Sequence, residues 1–295
     1  PCRNRCSALR LSRSARIVTF GASLNFITTA LGALVKDKRV VFVNDDPQEF
    51  GKHLVADANV LGDCASTAER MVYWLDEAEI APSGFASEPH VREAAAAIAR
   101  PRPIRDPSTA SRLNIHEVLQ AVSTMIDGDC ALVTDGGRHM AHAWDAFRVA
   151  EPRYFVHTTL FGAIGMGLAQ GIGAAKAAPD RPTVVVVGDG GFMLGGLAEF
   201  NTAVRHGLNL IVLLLNDGSY GAEYVQFTAR DMDPSIALFD WPDFAPVAQA
   251  LGGTALTVRR LDDLAAVRSA IAGRSRQGPL LIDVKLDPRH VPPSF

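Results

Sequence analysis

The chain has 295 residues, 29 Lys and Arg against 32 Asp and Glu, 48% hydrophobic residues and four cysteines. That length allows one large or two ordinary domains, each able to bury a core without disulfide or metal staples, and the composition excludes collagen-like, coiled-coil and disordered classes. No apolar run reaches the roughly 18 residues of a membrane span. Five of the basic residues are arginines within residues 1–16, a stretch without acids, so the other 279 residues hold 24 bases against 32 acids. An acidic body argues against nucleic acid as a partner.

Residues 1–15 form an unassigned basic start, PCRNRCSALRLSRSA, rich in Arg and Ser. It reads either as an organelle-targeting segment or as the severed edge of a longer chain, and it lacks the apolar stretch of a secretory signal. Cys2 and Cys6 have no second pair at zinc-finger spacing, and Cys64 and Cys130 read as isolated buried thiols. Such usage fits a reducing compartment, and the cytoplasm is the expected location.

Residues 16–78 alternate strand and helix. Strands are expected at 16–20, 39–43 and 60–63. A turn at Gly21-Ala22-Ser23 leads into an apolar-periodic stretch over 24–35, and a helix is expected over 65–75. This alternation implies an α/β fold, a parallel sheet with helices on both faces, though three strands amount to half of an ordinary doubly wound domain. Residues 79–112 carry Pro82, Pro89, Pro101, Pro103 and Pro107 around a helix candidate at 91–100, and proline at that density marks a linker. From 113 the alternation resumes. Asn114 caps a helix over 115–126, and strands are expected at 131–134, 154–157, 183–187, 210–215, 255–258 and 280–284. Helices are expected at 161–177, 192–205, 243–251 and 261–272. Residues 113–295 thus read as a complete α/β domain.

The chemistry concentrates in VVVVGDGGFMLGGLAEFNTAVRHGLNLIVLLLNDGSYG, residues 184–221. Two buried strands each end in a polar, glycine-rich loop, and ligands of open α/β sheets bind beyond the carboxyl ends of strands. Asp189 ends one strand and Asn216-Asp217 the next, with 25 residues between Gly190 and Asn216. Oxygen ligands converging from such loops suit a hard cation that keeps open positions for phosphate. The bare backbone of Gly190 and Gly191 before a helix suits a diphosphate. An ordinary βαβ unit, with Asp189 as a helix cap and Gly218 as a turn, is the plainer alternative.

The segment resembles the thiamine-diphosphate signature, GDG followed some two dozen residues on by NN, of the acetolactate synthase, pyruvate decarboxylase and benzoylformate decarboxylase superfamily. The resemblance implies Mg²⁺ ligands at Asp189, Asp217 and the carbonyl of Ser219, with Tyr220 and Gly221 carried along as cofactor-binding residues. Asp217 stands where the signature has asparagine, an added negative charge beside a diphosphate. The segment also runs one residue long around Gly195-Gly196, which keeps Asn216 as a reserve ligand. LVTDGGRHMAHAW, residues 132–144, resembles a diphosphate-touching loop of acetolactate synthases and implies roles for Gly137, Arg138 and His139, with Arg138 replacing a glutamine. On the residues alone, His139 and His142 read as surface histidines at a helix start or as a zinc pair. TTLFGAIGMGLAQGIGAA, residues 158–175, implies cofactor contacts from Gly162 and Ala163, with Ile164 as the bulky residue under the folded cofactor. Read alone, that glycine-rich stretch is a weak dinucleotide signal, GxxGxG in place of GxGxxG, which keeps an NAD-dependent oxidoreductase as a minor reading. IVTFGASLN and RVVFVNDDPQEFGK, within residues 17–52, resemble part of the superfamily's middle domain, where FAD is possible but not indicated.

The resemblance implies a thiamine-diphosphate- and Mg²⁺-dependent decarboxylase or carboligase acting on a small 2-oxo acid. The superfamily's activating glutamate lies in a pyrimidine-binding domain that no segment here resembles. Upstream sequence or a partner in a homo- or hetero-oligomer is expected to supply it. Glu199 and Glu223 read as structural or substrate-side acids. The alternative in another class is a non-catalytic thiamine-diphosphate or nucleotide-binding module.

Overall fold

The computed structural model describes residues 16–26, 28–99, 103–104, 106–126, 130–157 and 162–291. The basic start with Cys2 and Cys6, and the first residues of the 158–175 segment, lie outside the described residues. Chain contacts divide the molecule into two compact units, residues 1–100 and 101–295.

In the first unit, β1 (Arg16–Phe20), β2 (Arg39–Asn44) and β3 (Ala58–Leu61) form a parallel sheet in that order. Val40 and Phe42 of β2, with Leu24, make a small core. The third strand ends earlier than the apolar pattern predicts, because Asp63 caps the helix Cys64–Glu77 by accepting from the Ser66 N–H at 2.8 Å. Cys64 opens that helix and is half-buried, not a core thiol. Among the described residues the apolar period over 24–35 yields turns and no helix. Thr28 and Thr29 bond back to Asn25, offering the backbone a local alternative to the helical ladder, and Ala30, Leu31 and Gly32 take positive φ.

The second unit is built on six parallel strands in the order β5-β4-β6-β7-β9-β8. These are β4 (Ala131–Thr134), β5 (Phe155–His157), β6 (Thr183–Gly188), β7 (Leu210–Asn216), β8 (Thr254–Val258) and β9 (Leu280–Lys285). The central strands read as unbroken apolar runs because both faces are covered. Val184, Val186, Ile211 and Leu213 pack under the helices Ile115–Met125 and Leu264–Gly273. Val185, Val187, Val212 and Leu214 pack under Gly167–Ala177, Leu197–Arg205 and Phe244–Ala250. Asn114 caps the first of these helices as expected, accepting from the N–H groups of His116 and Glu117. Among the described residues no helix is long and apolar enough to cross a membrane.

Two helix starts differ from the sequence pattern. The helix expected from 161 begins at Gly167, because Gly162 and Gly165 sit at φ +63° and +89°. Within it, a Cβ at Gly171 would lie 2.4 Å from Val185 Cγ2, so the small residues bring helix and sheet together. The helix expected from 192 begins at Asp189 and contains a π-helical turn over Phe192–Gly196 before continuing as Leu197–Arg205. That π turn includes Gly195 and Gly196, where the resemblance implies one extra residue.

Candidate functional site

After β4 the chain crosses to β5 on one side and then returns to β6 on the other, so the sheet order reverses between β4 and β6. A crevice opens at the carboxyl ends of strands at such a point. A cavity of about 360 Å³ lies there, lined by the loops that follow β4, β5, β6, β7 and β9.

Four of these loops contribute residues singled out in the sequence. Gly137, Arg138 and His139 follow β4; Gly162 and Ile164 precede the helix at Gly167; Asp189, Gly190 and Gly191 follow β6; Asp217, Ser219, Tyr220 and Gly221 follow β7. Ala163 and Asn216 do not line the cavity. Asn216 turns its amide away and donates to Asp283 Oδ1 at 3.0 Å.

The glycines of the 188–191 turn are places where other groups of the site come close. A Cβ on Gly190 would meet the Tyr220 ring at 2.4 Å, and one on Gly191 would meet Asp135 Oδ2 at 2.4 Å. Both belong to the first turn of a helix, where backbone N–H groups have no intrahelical acceptor. Gly221 makes room for Arg138, whose Nε would lie 2.3 Å from a Cβ there.

Two of the three carboxylates that line the cavity, Asp189 and Asp217, are buried, and their situations differ. Asp217 is fully engaged. Its Oδ2 accepts from Arg138 Nε at 3.0 Å and Nη2 at 2.5 Å, and its Oδ1 accepts from the Ser219 hydroxyl at 2.6 Å. Asp189, 1% exposed, keeps an Oδ2 with no hydrogen-bond partner. Burial first, and the negative charge of Asp217 second, push its carboxyl up to about 7, against smaller opposing pulls from backbone N–H groups and the Trp241 indole. A buried carboxylate oxygen without a partner beside a second acid is a place that a cation stabilises. His139 is also buried, with Nε2 unpartnered, and burial holds its pKa below the ordinary value against the pull of Asp135 and Asp217. His139 and His142 are therefore not surface residues. His142 packs edge-on against His116 with ring centroids 4.3 Å apart. Among the described residues no group of three or more His, Cys, Asp or Glu side chains converges to hold a metal, so the zinc-pair alternative has no third protein ligand there.

Two acids that sequence reasoning passed over support the site. Asp135, fully buried at the end of β4, accepts from the Gly165 N–H at 2.7 Å and the Gly136 N–H at 2.9 Å, tying together two loops that line the cavity. Its position at a strand end was the available signal. Asp283, fully buried in β9, accepts from Asn216 and from the Phe244 N–H at 3.0 Å, and pairs with Lys285 at 2.9 Å. No sequence motif marks it. Ile115, Leu215, Leu286 and Val291 add apolar lining, and Glu223 adds a further acid.

Residues 135–284 match the family model described as "Thiamine pyrophosphate enzyme, C-terminal TPP binding domain". The chain is 29% identical over 250 residues to a protein of Pseudomonas aeruginosa named "Probable 2-ketoarginine decarboxylase", covering 83% of this chain and 42% of that protein. It is 30% identical over 269 residues to the acetolactate synthase large subunit of Parasynechococcus marenigrum, covering 88% and 41%. The thiamine diphosphate-dependent 4-hydroxybenzoylformate decarboxylase of Rhodococcus jostii RHA1 shares the fold, with TM-score 0.66 at 20% identity over 85% of this chain and 44% of that one. The chain spans less than half the length of each of these proteins.

Proposed function

Because this chain belongs to the thiamine pyrophosphate enzymes through their C-terminal TPP-binding domain, we propose that it binds thiamine diphosphate and Mg²⁺ in the β4–β6 crevice and forms the diphosphate half of a 2-oxo acid decarboxylase or carboligase site. In this reading residues 113–295 are the cofactor domain and 16–78 part of a middle domain. A pyrimidine-binding part comes from further sequence or from a partner chain in an oligomer.

The observation that carries the proposal is Asp189. Its buried, unpartnered oxygen stands at the start of a helix beside two glycines, inside a cavity lined by four other loops. A hard cation would relieve both its desolvation and its repulsion by Asp217, so the donor set fits Mg²⁺. Asp189 and the Ser219 carbonyl are the protein ligands proposed, with diphosphate oxygens and water filling the remaining positions. The N–H groups of Gly190 and Gly191 face a diphosphate at the helix start. Ile164, Ile115 and Leu215 line the same cavity with apolar surface and would exclude water from a bound cofactor, and Glu223 lines it with a further acid. When bound, the cofactor supplies the electron-accepting group for cleavage next to a 2-oxo carbon, while the protein orients it.

Isothermal titration calorimetry with thiamine diphosphate, in the presence and absence of Mg²⁺, tests this reading. The expected result is saturable binding with Mg²⁺ that is lost in Asp189→Ala. A variant that binds as tightly as the parent would remove Asp189 from the site.

A further inference from the structure

Ser219 lines the cavity and is 4% exposed, yet among the described residues no group donates to its carbonyl. The reason lies in a second segment. The Tyr220 N–H donates to the Ala237 carbonyl at 2.9 Å and the Phe239 N–H to the Gly218 carbonyl at 2.8 Å, an antiparallel pairing that sets Ser219 opposite Leu238. In such a pair the bonds run through the neighbours, so the two facing residues turn their own N–H and C=O groups to the outer edges. Ser219 thus keeps its carbonyl away from Leu238 and free for another partner. Gly218 permits the approach, at φ +64° and with the Phe239 carbonyl 3.0 Å from where a Cβ would stand.

The same segment reaches the loop after β6. The Phe239 ring meets the Tyr220 ring edge-on with centroids 4.7 Å apart and stacks on Trp241 at 4.8 Å. Tyr220 presses in turn on Gly190, where a Cβ would lie 2.4 Å from its ring, and the Trp241 indole acts on the Asp189 carboxylate. Both ends are tied down. Asp233 accepts from the Ser235 N–H at 2.9 Å before the segment, and Asp283 accepts from the Phe244 N–H at 3.0 Å after it.

Building on the thiamine-diphosphate reading above, we infer that residues 237–241 are a positioning strap, in which Phe239 holds the Ser219 carbonyl and the Asp189 turn at one fixed spacing. Phe239 touches neither ion nor cofactor and acts through Gly218, Tyr220 and Trp241. The two proposed ligands come from separate strands, and the strap is what both loops share. Mg²⁺ demands near-ideal octahedral geometry, whereas Ca²⁺ accepts a looser and more variable ligand shell. A strap that fixes spacing therefore favours the smaller ion, and loosening it costs Mg²⁺ more than Ca²⁺.

The test is calorimetry on the full chain with thiamine diphosphate, reading the Mg²⁺ or Ca²⁺ concentration at which cofactor binding is half-maximal, with circular dichroism as the check of folding. Phe239→Pro removes both the N–H and the ring. It is expected to raise the Mg²⁺ requirement by about tenfold or more, the scale on which groups behind metal ligands act, and the Ca²⁺ requirement by less. Phe239→Tyr keeps ring and N–H and should match the parent, as should Ile236→Ala at a 76% exposed position of the same stretch. A folded Phe239→Pro with the parental Mg²⁺ requirement, or equal rises for the two ions, overturns the inference. Should Phe239→Pro fail to fold, hydrogen exchange of the Tyr220 and Phe239 amides in the metal-free parent decides. Protection of both amides supports the strap, and exchange at the rate of an open loop overturns it. That measurement contains no cofactor, so a parent that fails to bind thiamine diphosphate removes the functional reading while the exchange rates still decide whether the strap is formed.

Discussion

Gly191→Ala places one methyl group at a tight junction of the site. The new Cβ would stand 2.4 Å from Asp135 Oδ2 and 3.3 Å from the Gly165 nitrogen, between the partners of a 2.7 Å hydrogen bond. Loss of a hydrogen bond to a charged acceptor costs about 1.5–3 kcal/mol, and crowding a packed interior adds about 1–3 kcal/mol. The gain from replacing a helical glycine offsets roughly 0.5–1 kcal/mol. The net expectation is a destabilisation of about 2–5 kcal/mol. Urea unfolding followed by circular dichroism measures it as a lower midpoint at unchanged slope. Gly173→Ala is the matched control. It lies exposed in the helix Gly167–Ala177 with nothing within 4 Å of its added Cβ, and should stabilise by up to about 1 kcal/mol. If Gly191→Ala unfolds within about 0.5 kcal/mol of the parent, the ordinary scatter of a neutral site, the contact between Asp135 and the Gly165 loop is not what holds the cavity wall.

Asp283→Ala should destabilise by about 3–5 kcal/mol, because the Asn216 amide, the Phe244 N–H and Lys285 all lose one buried acceptor; thermal unfolding against Asp283→Asn separates loss of charge from loss of the acceptor. Asp189 predicts a pH dependence of the metal-free protein. Its carboxyl keeps its proton up to about pH 7 when folded and releases it near 3.8 when unfolded, so the native state binds more protons in that window and stability falls as pH rises through it. Subtracting the Asp189→Asn curve should isolate this slope, and parallel curves from pH 4 to 7 would contradict the assigned environment. The acid-side loss has another source. Asp287, held well below the usual carboxylate range by Arg289 and then its neighbours, contributes stability that is present above its unfolded pKa and lost as pH falls below about 4. Asp287→Asn should therefore flatten acid unfolding in a urea-midpoint series taken below that pH.

The central strands were legible because β6 and β7 are buried on both faces, and a strand so placed must be apolar at every position. The turn around Asp189 was legible because two glycines follow the strand end directly, although what presses on them, Tyr220 and Asp135, comes from distant parts of the chain. The stretch over 24–35 has apolar spacing that suits a helix, but Thr28 and Thr29 satisfy their hydrogen bonds on Asn25 instead. Asn216 and Asp217 are adjacent in the chain, yet successive residues at a strand end face opposite sides. Asp217 meets the cavity and Asn216 turns to Asp283, a division that composition and spacing do not reveal.

The amino-acid sequence by itself determined the α/β alternation and the two loops that carry the acids, because hydrophobic period and glycine placement are local properties of the chain. Only the tertiary structure decided what those acids do. Arg138 and Asp217, 79 residues apart, are each departures from the resembled pattern when read singly, and in sequence Asp217 is an extra negative charge beside a diphosphate. Folding the loops after β4 and β7 into one crevice turns the two departures into a single buried ion pair and leaves Asp189 with the unpartnered oxygen. Electrostatic energy depends on distance and burial, and neither is written along the chain.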